Sequence, residues 1–431
     1  MRKLLLFAFL SLFIVFSPAK NFYVSPLGDD YTGDGSVKNP FKTLQMALNY
    51  VGPGDVIYLR QGVYDIETYV EVSGTRTKPI LIMSYPGEWA IFDGSGHSPS
   101  DSVKFRITGS WLIFRNFTVR NGPSDGILLT EGASHNKLEN LRSHGNYFTG
   151  IELEGGAHDN LILNCDSYEN FDYGETHGEH ADGFGARYDV GSGNIFRYCR
   201  AWNNSDDGFD LWKAENSVLI EYCYSWGNGF DRWNVGSEFA GDGNGFKLGD
   251  SSPIIHHSIS WKNKRRGFDF NDSAESEFVY NNTTYMNPVG FNFPYGRHVL
   301  INNLSYRDGE NKIGYEVLSF SNSWDPFPFL LERATPTSNL IEFNSVDIYF
   351  LSIFKKDFMS LDEDVIKGER REDGNLPYFQ FLRPSMDSVL RDIGIDMGDY
   401  YFGKGPDIGA LEFYPIYVDI RSDEIDFKKF F

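Results

Sequence analysis

The chain has 431 residues with a formal net charge of -21; 44 residues are glycine and 16% are aromatic. That charge excludes nucleic acid as a partner, because phosphate binding needs a basic stripe. It also repels an acidic polysaccharide unless metal ions mediate the contact. Three cysteines cannot all pair with one another, so no disulfide framework is expected. The chain opens with Met1-Arg2-Lys3, an apolar run over 4–16, and the small residues Ser17 and Ala19. This pattern predicts a secretory signal over 1–19, cut near Lys20. About 13 apolar residues are short of the roughly 20 a spanning helix needs. The mature protein, 20–431, is therefore expected to be secreted, with no membrane partner.

Residues 20–65 read as an N-terminal cap. Tyr23-Val24-Ser25-Pro26 reads as a strand, and 41–48 carries apolar residues at helical spacing behind Pro40. Such a helix would cover the open end of a stacked sheet, as repeat folds require for solubility. Gly52-Pro53-Gly54-Asp55 ends it, and Val56-Ile57-Tyr58-Leu59 opens the next strand.

From about residue 110 to 310 a repeat is visible when Asn121, Asn146, Asn170, Asn204, Asn228, Asn263, Asn287 and Asp308 are aligned, at spacings of 25, 24, 34, 24, 35, 24 and 21. Each unit has an apolar strand, a small or Cys position, an aromatic, a turn Asn, and then Gly-Phe or Gly-Ile. That is one coil of a parallel β-helix per unit. The Asn column is expected to form a ladder inside the turns, where Asn tolerates left-handed backbone. Cys165, Cys199 and Cys223 share a column and read as packed thiols. Trp202, Trp226 and Trp261 share another, which either stacks on sugars or packs the turn. Residues 311–431 read as last coils and a closing segment, with a last coil and long loop over 324–344. Capped at both ends, the solenoid is expected to be one domain and a monomer.

Two units carry about ten extra residues, at 171–181 and 229–243, both between the turn Asn and the next Gly. Insertions in solenoids collect on the binding face, so these are expected to wall a cleft. Between them lie three related phrases: Ala181-Asp182-Gly183-Phe184, Asp206-Asp207-Gly208-Phe209-Asp210-Leu211 and Gly243-Asn244-Gly245-Phe246-Lys247-Leu248. Stacked on their Gly-Phe, they put Asp182 beside Asp207 and Lys247 in the column of Asp210, with rungs roughly 4.8 Å apart. Hard oxygen ligands around an amine suggest a calcium (Ca2+) site next to a base. Paired Asp before Gly is by itself turn chemistry, and a lone Lys on a strand is a solvated face; the repeat is what adds Asp182 and Asp210. His177 and His180, three apart, read as turn residues beside the acids rather than a zinc pair. Arg187, Lys213, Arg232, Lys262, Lys264 and Arg265 are candidates to bind carboxylates of a ligand, though only Arg offers a bidentate fork.

These phrases, with Gly267-Phe268-Asp269 after them, resemble the family 9 polysaccharide lyases, the right-handed β-helical pectate lyases. The resemblance extends to Gly62-Val63-Tyr64 near the start and Pro406-Asp407-Ile408-Gly409-Ala410 near the end. It departs at His177-Gly178-Glu179-His180 and at Phe209, where Trp is expected. It implies an all-β right-handed parallel β-helix, calcium on Asp182, Asp206, Asp207 and Asp210, and Lys247 as Brønsted base. The implied substrate is an acidic polysaccharide, pectate or polygalacturonate, cleaved by β-elimination. Asp210 and Asp269, flanking Lys247 in its column, are expected to raise its pKa. Two other readings remain: a β-helical hydrolase with carboxylates as acid and base, and a non-catalytic carbohydrate-binding solenoid.

Overall fold

The computed structural model describes residues 19–101, 104–174, 176–328 and 348–414. Most of the signal segment, most of the stretch over 324–344, and the tail beyond 414 lie outside the described residues. Among those described, three long sheets of 12, 10 and 10 strands are parallel throughout, and from Val56–Leu59 to Leu318–Phe320 sequence-consecutive strands fall in successive sheets. The chain thus winds as a right-handed parallel β-helix. Short strands suffice because each is paired by the rungs above and below. One inward column of the first sheet runs Phe114, Leu138, Ile162, Phe196, Ile220, Ile255, Val279 and Leu300 in register. All eight are fully buried, so removal of apolar surface from water fixes the register.

Stacking already begins at Val56–Leu59, Gly62–Asp65 and Thr68–Val70, well before the repeat becomes visible. The early coils lack the aromatic column: its place is taken by Asp65, Asp93 and Arg120 before His144 and Tyr168. The helix is shorter than the 41–48 expected. It spans Leu44–Leu48, because extended Thr43 caps it by accepting from the Met46 N–H. Leu44, Ala47 and Leu48 are buried against the first strands, as an end cap requires.

The ladder is present: Asn146, Asn170, Asn204, Asn228, Asn263 and Asn287 each donate an amide N–H to the next rung, ending on Asp308. Two details differ from expectation. The left-handed residue is the one before the ladder Asn, as at Gly145, Asn203 and Lys262. Asn121 belongs to that left-handed column, and Gly122 occupies the ladder position, donating to Asn146 Oδ1. The three cysteines are buried and unpaired, as read from their column.

The structure decides the role of the tryptophan column. Trp202, Trp226 and Trp261 stack face to face at 4.9 and 4.7 Å on the outside of the second sheet. The closing segment covers the end of that column, with Phe358, Phe379 and Phe381 in a second apolar core. It is tied down by Asp166, which pairs with both Arg200 and Arg370 while Arg200 donates to the Ile366 and Gly368 carbonyls.

Candidate active site

The third sheet carries the acidic phrases on successive rungs. Phe184, Phe209, Phe246, Phe268 and Phe291 stack inside the coil at 4.8 to 5.0 Å, locking the register. The preceding glycines are obligatory because the rungs nearly touch there. A Cβ on Gly183, Gly208, Gly245 or Gly267 would lie 2.5 to 2.8 Å from the carbonyl oxygen of the next rung's glycine.

With that register, Asp182, Asp207 and Asp210 bring carboxylate oxygens within 4.8 Å of one another. The Asp207 N–H donates to Asp182 Oδ1 at 2.9 Å, and the Asn244 N–H to Asp207 Oδ1 at 2.6 Å. Lys247 Nζ lies 3.2 Å from Asp207 Oδ2 and 3.7 Å from Asp210 Oδ2. Asp206 is buried beside them, but its carboxylate is turned to accept from the Asp242 N–H. Asp207 Oδ2, despite its ion pair, accepts no hydrogen bond, and neither does buried Asn244 Oδ1. Three converging carboxylates, one of them with a hydrogen-bond-free oxygen, fit a hard divalent cation such as calcium.

Electrostatics shows how unsatisfied the cluster is without such an ion. Burial, reinforced by Asp210, pushes Asp182 well above the carboxylate range; burial and Asp207 do the same to Asp206. Burial lifts Asp207 to about 6 against the pull of Lys247. For Lys247, burial alone would lower the pKa, but Asp207, Asp210, Asp206 and Asp182 outweigh it and hold the ammonium well above an ordinary lysine. Asp269 lies in register beside Lys247 as expected, but its carboxylate accepts from Arg266 and from the Asn292 amide, and the four acids above carry the main effect on Lys247.

Arg187, one of six basic candidates, belongs to the cluster. Its guanidinium is gripped by both oxygens of Glu152 and reaches Asp182 Oδ2 at 3.0 Å and Asp210 Oδ2 at 3.5 Å. Lys213 makes no ion pair with the cluster; its Nζ lies 4.1 Å over the ring of Trp212, which contacts Tyr188 and donates its backbone N–H to Asp210 Oδ1. Arg265 pairs with Asp242, whose N–H holds Asp206. Lys264 donates to the Gly241 carbonyl. Lys262 bonds Glu363, and it and Arg232 line a separate groove on the second sheet. The two insertions do not face each other across a cleft. Both leave the same turn and clasp, Phe171 stacking on Trp233 at 4.5 Å and the Ala240 N–H donating to the His177 carbonyl. They therefore build one wall. His177 and His180 face Glu238 and Asp172 separately, at 3.8 Å each, and make no common site.

Glu152 was missed by sequence reasoning, although Gly150-Ile151-Glu152 has the same Gly-apolar phrase as Gly208-Phe209-Asp210 and puts Glu152 two rungs before Asp210 in one column. A profile of the Pel9A-like right-handed β-helix region matches residues 22–305. The chain belongs to that family. Among its relatives, pectate lyase L of Dickeya dadantii (strain 3937) is 33% identical over 92% of this chain and 91% of its own. Pectate lyase PEL9 of Emericella nidulans is 32% identical over 85% and 93%. The crystal structure of pectate lyase Pel9A matches with a TM-score of 0.79 at 32% identity, over 92% of this chain and 97% of that one. A rhamnogalacturonan lyase structure matches at 0.72 and 28% identity, over 86% and 97%. This Pel9A-like protein is accordingly a polysaccharide lyase, which sets aside the hydrolase and non-catalytic readings.

Proposed function

We propose that this protein is a secreted pectate lyase that cleaves polygalacturonate by calcium-assisted β-elimination, with Lys247 as the base. The observation that carries the reading is the amine of Lys247 beside two carboxylates of a buried acidic triad in which Asp207 Oδ2 accepts no hydrogen bond. A calcium ion held by Asp182, Asp206, Asp207 and Asp210 would bind the uronate carboxylate and stabilise the charge that develops beside C5. Lys247, as free amine, takes the C5 proton; that electron pair becomes the C4–C5 double bond, the C4–O bond breaks, and the departing oxygen is protonated by water. The product carries a 4,5-unsaturated uronate at its new non-reducing end. Arg187, locked by Glu152, holds Asp182 and Asp210 in place with a fixed positive charge. The acids are paired with Arg187 and Lys247, whereas a hydrolase needs one carboxyl free as acid and another as base or nucleophile on either side of the scissile bond.

The test is ultraviolet absorbance of unsaturated uronate on incubation with polygalacturonate and calcium, with a rhamnogalacturonan backbone in parallel. Lys247→Ala is expected to lose turnover while calorimetry still finds calcium binding; substantial turnover by that variant would remove the lysine from the mechanism. The basic and apolar start of the chain supports export, and amino-terminal sequencing of exported protein should begin near Lys20. No helix of the described residues is long and apolar enough to cross a membrane. A monomer is expected, and the elution volume on a sizing column checks it.

A further inference from the structure

Outside the second sheet, a groove of about 650 Å³ is lined by Trp202, Trp226, Phe230, Arg232, Lys262 and Lys367. Its charge runs against that of the molecule: three cations in a chain of net charge -21. Lys262 and Lys367 both donate to a single oxygen of Glu363, at 2.8 and 2.6 Å, so two ammonium groups share one acid. Among the described residues Arg232 has no carboxylate partner. The groove therefore keeps a positive surplus that an anion can neutralise.

The aromatic lining sets the shape of that anion. Trp202 and Trp226 are parallel within 4° and cover each other's faces, so they present edges. Phe230 is 45% exposed. A nucleic acid needs free aromatic faces on which successive bases stack. A pyranose chain instead offers C–H surfaces, which suit ring edges and a single open ring, and a uronate adds one carboxylate per sugar for a guanidinium fork and two ammonium groups. The loop over 229–243 that supplies Phe230 and Arg232 also supplies the Asp242 N–H that holds Asp206 in the acidic cluster. Groove and cluster thus share one loop.

We propose that this groove is an accessory binding site for a carboxylated oligosaccharide segment, which holds the polymer near the acidic cluster and takes no part in bond cleavage; it rests on the polyuronate reading above. Its effect is to raise the local concentration of polymer. The experiment runs Lys247→Ala protein, with chelator present, through gels cast with polygalacturonate, neutral dextran or polyglutamate. Retardation by polygalacturonate alone is expected, and adding Phe230→Ala with Arg232→Ala should abolish most of it. In the otherwise native enzyme the same double variant should raise KM for polymer several-fold and leave kcat on short oligogalacturonates unchanged. Unchanged retardation in the double variant, or equal retardation by polyglutamate, overturns the proposal. Both side chains are exposed, and a melting curve matching the parent confirms that the variant is folded. If the native enzyme gives no unsaturated product from polygalacturonate, the pectate-lyase reading fails by itself, while the gels still decide the groove.

Discussion

Lys247 and Arg187 divide the acidic cluster between them, one on Asp207 and Asp210, the other on Asp182 and Asp210. An ordinary lysine is free base in only about four molecules in ten thousand at pH 7, and its acidic neighbours drive that fraction lower here. Turnover is therefore expected to climb into alkaline pH, by up to about tenfold per unit while the amine stays mostly protonated. Lys247→Arg should be inactive at every pH, since guanidinium keeps its proton; appreciable product from it would mean that another group takes the C5 proton. Gly185 shows how tightly the second cation is built in: a Cβ there would lie 1.9 Å from Glu152 Oε2. The Gly-Phe phrases made Asp182, Asp207, Asp210 and Lys247 legible because a parallel rung preserves sequence register. Arg187 reaches sideways and backwards to Glu152 on the previous coil, and no period in the sequence encodes that reach.

At the scale of elements, the same logic explains what was and was not visible. The Asn and aromatic columns repeat and so announced the coils, but the first two coils carry Asp65 and Asp93 where later ones carry aromatics, and they passed unseen. The clasp between insertions, Phe171 on Trp233, joins residues with no repeat relation at all. The closing segment is another such case, and its anchor makes a prediction. Burial alone would raise the Asp166 carboxyl, but Arg370 and Arg200 outweigh it and bring it down to about 2. A carboxyl depressed in the folded state contributes stability that is complete above its unfolded pKa, near 4, and is lost as pH falls through 2. That difference amounts to about 2–3 kcal/mol. Asp166→Asn leaves two buried guanidinium groups short of a charge and is expected to cost about 3–5 kcal/mol at neutral pH. Denaturant titration measures it, and a loss under 1 kcal/mol would show that the strap is held by its apolar contacts alone.

For the whole molecule, the sign of the pH dependence is opposite at the acidic cluster. In the absence of metal, Asp207 is lifted to about 6 and Glu152 to about 8, each mainly by burial, and Asp182 and Asp206 rise as well. Between about pH 4 and 8 the folded chain then holds protons that the unfolded chain has released, and stability must fall as pH rises. The Asp207 shift alone corresponds to about 3 kcal/mol across its window. A divalent ion that binds the ionised carboxylates of the folded state removes this penalty and adds its own stabilisation, about 2.7 kcal/mol at a hundred times its Kd. Melting temperature in chelator is therefore expected to decline from pH 5 to pH 8, and the gain on adding calcium to grow over the same range. The Asp207→Asn variant should show a flatter decline in chelator and little gain from calcium, because it lacks one titrating carboxyl and one ligand charge. A calcium gain that is the same at pH 5 and pH 8 would mean that the ion binds somewhere other than this cluster, and the assignment of these aspartates would fall with it.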